Sequence, residues 1–270
     1  MEKLKISKSV VYYNSHKFKV WGDLRKFINS WKLFALVIKI ERATDSWNII
    51  VLWWDGTLLK AIKDSYWQNK PILWVNFWTK GFLLNNLKNI DSNFEFEKIE
   101  YPLLECEVQV WEKTLHQIAF NEIDFRANTG KIIDLDIELV GVADLQPLHT
   151  NLKWDGFVFS TPAWSTGYNF SLGWPILPHS AKSFVLTPKA PWLPRCFKSV
   201  IINDKKTVII QNIWRLSDIK IVCDWTDFFE TKDEEVIVTI KKAHKWITLL
   251  VPKNMKIAWE DKIFLEQGFE

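Results

Sequence analysis

The residues able to do chemistry in this chain gather in a few short segments. An apolar run from Asn48 to Leu52 leads into Asp55-Gly56-Thr57 and then into a helical pattern. Strand, tight turn and helix, in that order, put backbone N–H groups and a helix N-terminus where a phosphate can lie. Taken alone, such a tripeptide more often only caps its helix through Asp or Thr. Beside a phosphate, the charge on Asp55 is a liability unless it takes a proton or holds a metal. A second segment, Ser160 to Ser171, is dense in hydroxyls: Thr161, Ser165, Thr166, Tyr168 and Ser171 can all donate to phosphate or sugar oxygens. Tyr168 suits either stacking on a planar ring or packing as a core aromatic. His16, His149 and His179 have no carboxylate or Cys at ligand spacing. Asp134, Asp136 and Glu138 alternate along one strand face and are read as a solvated row, not a metal cluster. Cys106, Cys196 and Cys223 show neither disulfide-framework nor metal spacing, and are read as small core residues in a reducing compartment. Arg195 is read mainly as a salt-bridge partner.

The elements that must position these residues change character along the chain. Up to about residue 95, short apolar runs alternate with helical patterns, as parallel βα units do. Strands are expected at Val10–Tyr13, Leu36–Ile40, Asn48–Leu52 and Pro71–Asn76, with a helix over Leu24–Trp31. A further helix after Gly56 has Leu58, Leu59, Ile62 and Tyr66 on one face. In an open α/β sheet ligands bind beyond the carboxyl ends of the strands, which is where the turn at 53–57 falls. From about residue 96 the period becomes two: Cys106, Val108 and Val110 share a face, as do Ile133, Leu135, Ile137 and Leu139, then Ile219, Ile221 and Cys223, then Val236, Val238 and Ile240. The expected fold is a Rossmann-like open α/β sheet domain over 1–95, followed by a C-terminal antiparallel β-sandwich-like domain over 96–249. The last stretch, about 250–270, is expected to return and pack on the first domain.

The 270 residues include 35 Lys plus Arg and 32 Asp plus Glu, a net charge of +3 that is too small for a dedicated nucleic-acid binder. The longest apolar stretch, Leu33 to Ile38, is far short of the ~18 to 20 residues of a spanning helix, so a cytoplasmic protein is expected. One feature is abnormal: 17 Trp stand against 9 Gly, where about 7% Gly would be usual. Trp53 and Trp54 precede Asp-Gly, Trp78 and Trp164 lie in polar turns, and Trp225 follows Asp224. Turns favour Gly there, not the bulkiest side chain. A tryptophan-rich core or an aromatic binding surface explains some of the others, such as Trp31 and Trp111.

Read with Gly for Trp, residues 50–58 become I-V-L-G-G-D-G-T-L, which resembles the GGDGT motif of NAD kinases, shared with diacylglycerol-type lipid kinases. Residues 73–83 likewise resemble the NxGxxGFL segment of NAD kinases proper. Downstream, Asn121-Glu122 resembles the family's Asn-Glu pair, and residues 154–175 resemble its long GDGxxxSTPxGSTAYxxSxGGP signature. Leu186-Thr187-Pro188 with Ala190-Pro191 matches its LTPxxP segment, and Cys223-Asp224-Trp225 its late DG turn. Trp53, Trp54, Trp74, Trp78, Trp154, Trp164, Trp174 and Trp225 stand where the family has Gly, and Gly167 where Ala is usual. The economical expectation is a genetic code in which UGA means glycine, read here as tryptophan; UGG codons at 53, 54, 78 and 164 would dismiss it. Indoles encoded there are expected to distort the site.

The resemblance implies transfer of the γ-phosphoryl group of ATP, or of polyphosphate in some members, to the 2′-hydroxyl of the adenosine ribose of NAD, with Mg²⁺ or another divalent cation. It makes Asp55 the catalytic carboxylate. Nucleotide contacts fall to Gly56, Thr57, Asn121, Glu122, Lys153, Asp155, Ala163, Thr166, Gly167, Tyr168, Asn169 and Ser171. Asn121 would supply amide hydrogen bonds and Glu122 would bind ribose hydroxyls, while no residue is assigned to a metal. It also implies a homo-oligomer, a dimer or tetramer, with small-molecule substrates and neither nucleic acid nor membrane as partner. Two other readings are a lipid kinase sharing the GGDGT turn and a non-catalytic NAD- or ATP-binding pseudokinase.

Overall fold

The computed structural model describes residues 2–6, 9–13, 48–52, 55–76, 85–86, 96–128, 132–140, 146–174, 176–212, 219–231 and 234–253, arranged in two compact units, 1–101 with 245–270, and 102–244. The helix expected at Leu24–Trp31, the strand at Leu36–Ile40, Trp53, Trp54, Trp78 and the tail beyond 253 lie outside the described residues.

The first unit is built on one sheet of β1 (Glu2–Ile6), β2 (Ser9–Tyr13), β3 (Asn48–Leu52), β4 (Ile72–Asn76), β5 (Asn85–Asn86) and β6 (Phe96–Tyr101), joined by a late strand, Ile247–Pro252. Strands β2, β3 and β4 run parallel, and the late strand lies between β4 and β6, parallel to the first and antiparallel to the second. Every residue of β3 is buried, as a continuous apolar run requires when both faces are covered. Helix α1 (Asp55–Ser65) follows at once, burying Leu58, Leu59, Ala61 and Ile62 while Lys60 and Asp64 face water. Asp55 in its first turn and Lys63 in its last complement the helix dipole. A 3₁₀ turn and Asn69, at φ 50°, end it in the left-handed conformation that Asn tolerates.

The second unit is a sandwich of two antiparallel sheets. One contains β7 (Leu104–Val110), β8 (Lys113–Ala119), β10 (Ile133–Val140), β11 (Gln146–Trp154), β15 (Thr207–Asn212) and β18 (Ile237–Lys242), in the order β11-β10-β15-β18-β7-β8. The other contains β9 (Glu122–Ala127), β12 (Gly156–Ser160), β13 (Ser183–Lys189), β14 (Val200–Asn203), β16 (Ile219–Cys223) and β17 (Thr226–Thr231), in the order β14-β13-β12-β9-β16-β17. The strand Ile247–Pro252 of the first unit is thus β19. One apolar cluster draws on both sheets: Cys106, Val108, Leu135 and Ile240 from the first, and Phe125, Phe157, Phe159 and Ile221 from the second. Each such side chain stabilises by roughly 1.5–3 kcal/mol on burial. The strict alternation along β9, with Ile123 and Phe125 inward, turns Glu122, Asp124 and Arg126 to the outer face.

The units divide at Tyr101/Pro102 and His244/Lys245, whereas the change of period suggested 95/96 and 249/250. The difference has a simple cause: β6 and β19 pair with each other antiparallel and so carry a period-two pattern into the first unit's sheet. Other differences concern single residues. Cys106 and Cys223 are core residues, but Cys196 is exposed. Arg195 stacks its guanidinium 4.4 Å from the Trp192 ring centroid instead of meeting a carboxylate there. Asp134 is not simply solvated; it pairs with Lys153 at 3.4 Å. Trp111 is no core residue: it is 79% exposed, at φ 54°, in the two-residue turn between β7 and β8. No described helix is long and apolar enough to cross a membrane.

Candidate active site

Asp55 opens α1 directly beyond the buried strand β3, half-buried, with Gly56 exposed and Thr57 buried behind it. Its position in the first turn sets the carboxylate among the unpaired N–H groups of the helix start. Burial raises the Asp55 carboxyl above its ordinary value, and a backbone hydrogen bond at Asp55 itself works the other way. A carboxylate made more basic in this manner is a better acceptor for an alcohol proton.

In the second unit, the polar residues converge on the outer face of the sheet formed by β9, β12, β13 and β16. The corner Phe120-Asn121-Glu122 is shaped by Asp224, whose Oδ2 accepts from Phe120 N at 2.9 Å and Oδ1 from Asn121 N at 2.7 Å. Asp224 N in turn donates to the Glu122 carbonyl at 3.1 Å. From the other side Thr161 donates through its hydroxyl to the Phe120 carbonyl at 2.7 Å and through its N–H to the Asn121 carbonyl at 3.0 Å. The short helix α2 (Tyr168–Ser171) is tied to β13 by the Thr187 hydroxyl, which donates to Asn169 Oδ1 at 2.6 Å. Ser165 anchors the preceding turn, accepting from Leu177 N at 2.8 Å.

Four buried side-chain atoms of this face have no partner among the described residues: Asn121 Nδ2, Asn169 Nδ2, Ser160 Oγ and Glu122 Oε2. Leaving such groups unsatisfied costs about 1–3 kcal/mol each, so a ligand or ordered water would complete their hydrogen bonds. Burial, with Asp224 and Asp124 adding to it, pushes the Glu122 carboxyl well above its ordinary value, while the Trp225 side chain, hydrogen-bonded to it, and Lys189 oppose the shift. The Tyr168 ring, 40% exposed, lies over Lys189 Nζ at 5.2 Å. Donors, an acceptor, a ring and cations on one face are the inventory for a sugar diol attached to a planar base.

Of the sequence-derived candidates, Asn121, Glu122, Tyr168 and Asn169 meet on this face. Ala163 is buried in the 3₁₀ turn Pro162–Trp164, Thr166 and Gly167 follow it half-buried, and Ser171 is exposed at the end of α2. Lys153 belongs to β11 of the opposite sheet and its ammonium is turned to Asp134. Asp155 is exposed between β11 and β12; its N–H donates to the Lys189 carbonyl at 3.2 Å. Gly156 beside it has φ 145°, and a Cβ there would lie 2.1 Å from the Phe125 carbonyl oxygen, so this position admits glycine alone. Asp124, Lys189 and the structural roles of Thr187 and Asp224 were not legible in the sequence. The one signal toward Asp124 is that it shares a face with Glu122 by simple alternation. Among the described residues one three-member group has metal-ligand proximity, Glu105, Glu107 and His116. It lies away from these candidates on β7 and β8, with Lys241 Nζ 3.7 and 3.9 Å from its carboxylates.

Residues 126–250 match the ATP-NAD kinase C-terminal domain. The chain is 29% identical to the NAD kinase of Rickettsia prowazekii over 271 aligned positions, covering 98% of this chain and 99% of that one. It is 28% identical to the NAD kinase of Brucella suis over 229 positions, covering 83% and 86%. Among solved structures it resembles yeast NADH kinase complexed with NADH (TM-score 0.68, 20% identity, 82% of this chain and 66% of that one). It likewise resembles an Archaeoglobus fulgidus NAD kinase in complex with ATP (TM-score 0.60, 20% identity, 84% and 94%). The run of motifs, the C-terminal domain match over 126–250 and the likeness to NAD kinases along 83–98% of this chain converge on one family, that of the NAD kinases.

Proposed function

We infer that this chain is an NAD kinase, a phosphotransferase with an alcohol acceptor that makes NADP from NAD and ATP. The observation that carries the reading within the molecule is the set of buried, unpartnered polar atoms at Asn121, Glu122, Ser160 and Asn169 beside an exposed Tyr168. Asn121 Nδ2 and Glu122 Oε2 hydrogen-bond the substrate's amide and ribose oxygens, and Tyr168 stacks on its adenine or nicotinamide. Gly56 and Thr57 offer N–H groups, and the Thr57 hydroxyl, to phosphate oxygens. The reaction forms a bond from the ribose 2′-oxygen to the γ-phosphorus and breaks the β,γ-bridging P–O bond, releasing ADP; Asp55 takes the hydroxyl proton. Lys153, Asp155, Ala163, Thr166, Gly167 and Ser171 complete the nucleotide contacts.

A divalent cation suits this donor set only as a companion of the phosphates, since Asp55 is a single hard oxygen donor and Mg²⁺ keeps water and phosphate ligands. Held that way it would supply charge neutralisation at the transferring group. ATP or polyphosphate as phosphoryl donor, a homo-oligomeric state and a cytoplasmic location belong to the same proposal. The test is radiolabelled ATP offered with NAD and, separately, with diacylglycerol. Label in NADP is the expected result. Label in the lipid instead would establish the lipid-kinase reading, and calorimetric NAD binding with no label in either acceptor would leave a pseudokinase.

A further inference from the structure

One charged cluster on the outer face of the second unit takes no part in the chemistry assigned to Asp55. Asp124, almost fully buried, accepts from Lys189 on Oδ1 and from Arg126 Nη2 at 2.9 Å on Oδ2. Lys189 is itself 14% exposed, so its ammonium is held within the protein and not spread into solvent. The register explains how the pair forms. Arg126 and Lys189 both stand opposite Gly156, and Asp124 stands opposite Val158, so β12 places only a valine and a residue without a side chain between β9 and β13 at this point.

Above Lys189 lies the Tyr168 ring, 5.2 Å from Nζ. Tyr168 begins a helix of four residues and is 40% exposed, a location that restrains a side chain weakly. A cation beneath the negative face of the ring fixes both its height and its tilt. One face of the ring is then occupied, and the opposite face remains for a planar ligand. We propose that Lys189, locked by Asp124 under the Tyr168 ring, is a positioning residue that presents that ring to the base of the dinucleotide substrate. The inference rests on the reading of this face as the dinucleotide site. Its energetic basis is pre-organisation: a ring already immobilised loses less freedom when substrate arrives.

The experiment compares the unaltered chain with Lys189→Met, Lys189→Arg and Tyr168→Leu in an NADP-forming assay, with calorimetric NAD titration alongside. Lys189→Met is expected to raise KM and the NAD dissociation constant about tenfold while kcat stays within about twofold. Lys189→Arg, which keeps a cation under the ring, is expected to recover most of that loss. In the Tyr168→Leu background, Lys189→Met is expected to add little, because the ring it supports is gone. An unchanged KM in Lys189→Met, or a fall in kcat with KM constant, overturns the proposal. Should Lys189→Met fail to fold, Lys189→Gln, which retains a hydrogen bond to Asp124 without the cation, is read by the same criteria. Failure of the unaltered chain to bind or phosphorylate NAD would strike the enzyme assignment; a normal unaltered enzyme with an indifferent Lys189 strikes only this inference.

Discussion

The start of α1 and the outer face of the second unit's sheet present their polar groups by different means. At the helix start, Asp55, Gly56 and Thr57 are consecutive, and the useful groups are backbone N–H plus one carboxylate. On the sheet, Asn121, Glu122, Ser160, Tyr168, Asn169 and Lys189 come from four separate segments and act through side chains. The second arrangement needs scaffolding that the first does not. Asp224 spends its carboxylate on backbone N–H groups of Phe120 and Asn121, and Asp124 spends its own on Lys189 and Arg126. A site made from backbone tolerates few changes in the chain that bears it, whereas one made from side chains depends on residues that never touch the ligand.

The contrast breaks most sharply at Asp55. Asp55→Asn is expected to lower kcat about a thousandfold with KM for NAD nearly unchanged, measured by NADP formation. Substantial remaining activity would remove the general-base role. Asp224→Ala should act through structure instead. It removes an acceptor shared by the N–H groups of Phe120, Asn121 and Glu122, and a loss of about 2–4 kcal/mol in denaturant unfolding is expected, together with a raised KM for NAD.

Between these lies a case in which binding and stability oppose one another. The Glu122 carboxyl is raised above its ordinary value of 4.5, so the folded chain retains a proton that the unfolded chain releases. Stability therefore falls as pH rises from about 4.5 toward the folded-state value. Glu122→Gln is expected to unfold at a higher temperature than the unaltered chain at pH 8, to show no such advantage near pH 4, and to bind NAD more weakly. A constant difference across that range would exclude the mechanism.

Smaller effects concern tryptophan at places of glycine. A Cβ on Gly167 would sit 2.4 Å from the Trp164 indole. Gly167→Ala is thus expected to cost about 1–3 kcal/mol with Trp164 present and almost nothing in a Trp164→Gly background, a coupling that a double-mutant cycle reads directly. Trp111 and Trp225 occupy φ 54° and 65°, the left-handed region that favours glycine, and both are largely exposed. Replacing either with Gly is expected to stabilise by about 1 kcal/mol in denaturant unfolding. Trp154 is a different case, fully buried against Phe157 and Phe197 with its indole N–H unpartnered. There a change to Gly leaves a cavity, so gain at 111 and 225 with loss at 154 would separate turn positions from core positions.

Local pattern alone determined the strand–turn–helix around Asp55 and the period-two strands of the second unit, because each depends on neighbours within a few positions; Asn121 and Glu122 were legible only through their resemblance to a family motif. Trp111 shows the limit of such reading: nothing nearby marked it as a hairpin turn, and only the pairing of Val110 with Lys113 did so. The tertiary structure decided which polar residues share a face, that Lys153 turns to Asp134, and that Asp124, Lys189 and Asp224 support the site. The physical reason is that β-sheet neighbours are set by register between segments tens of residues apart, as Asp124 and Lys189 are, and an ion pair across such a distance leaves no trace in local order.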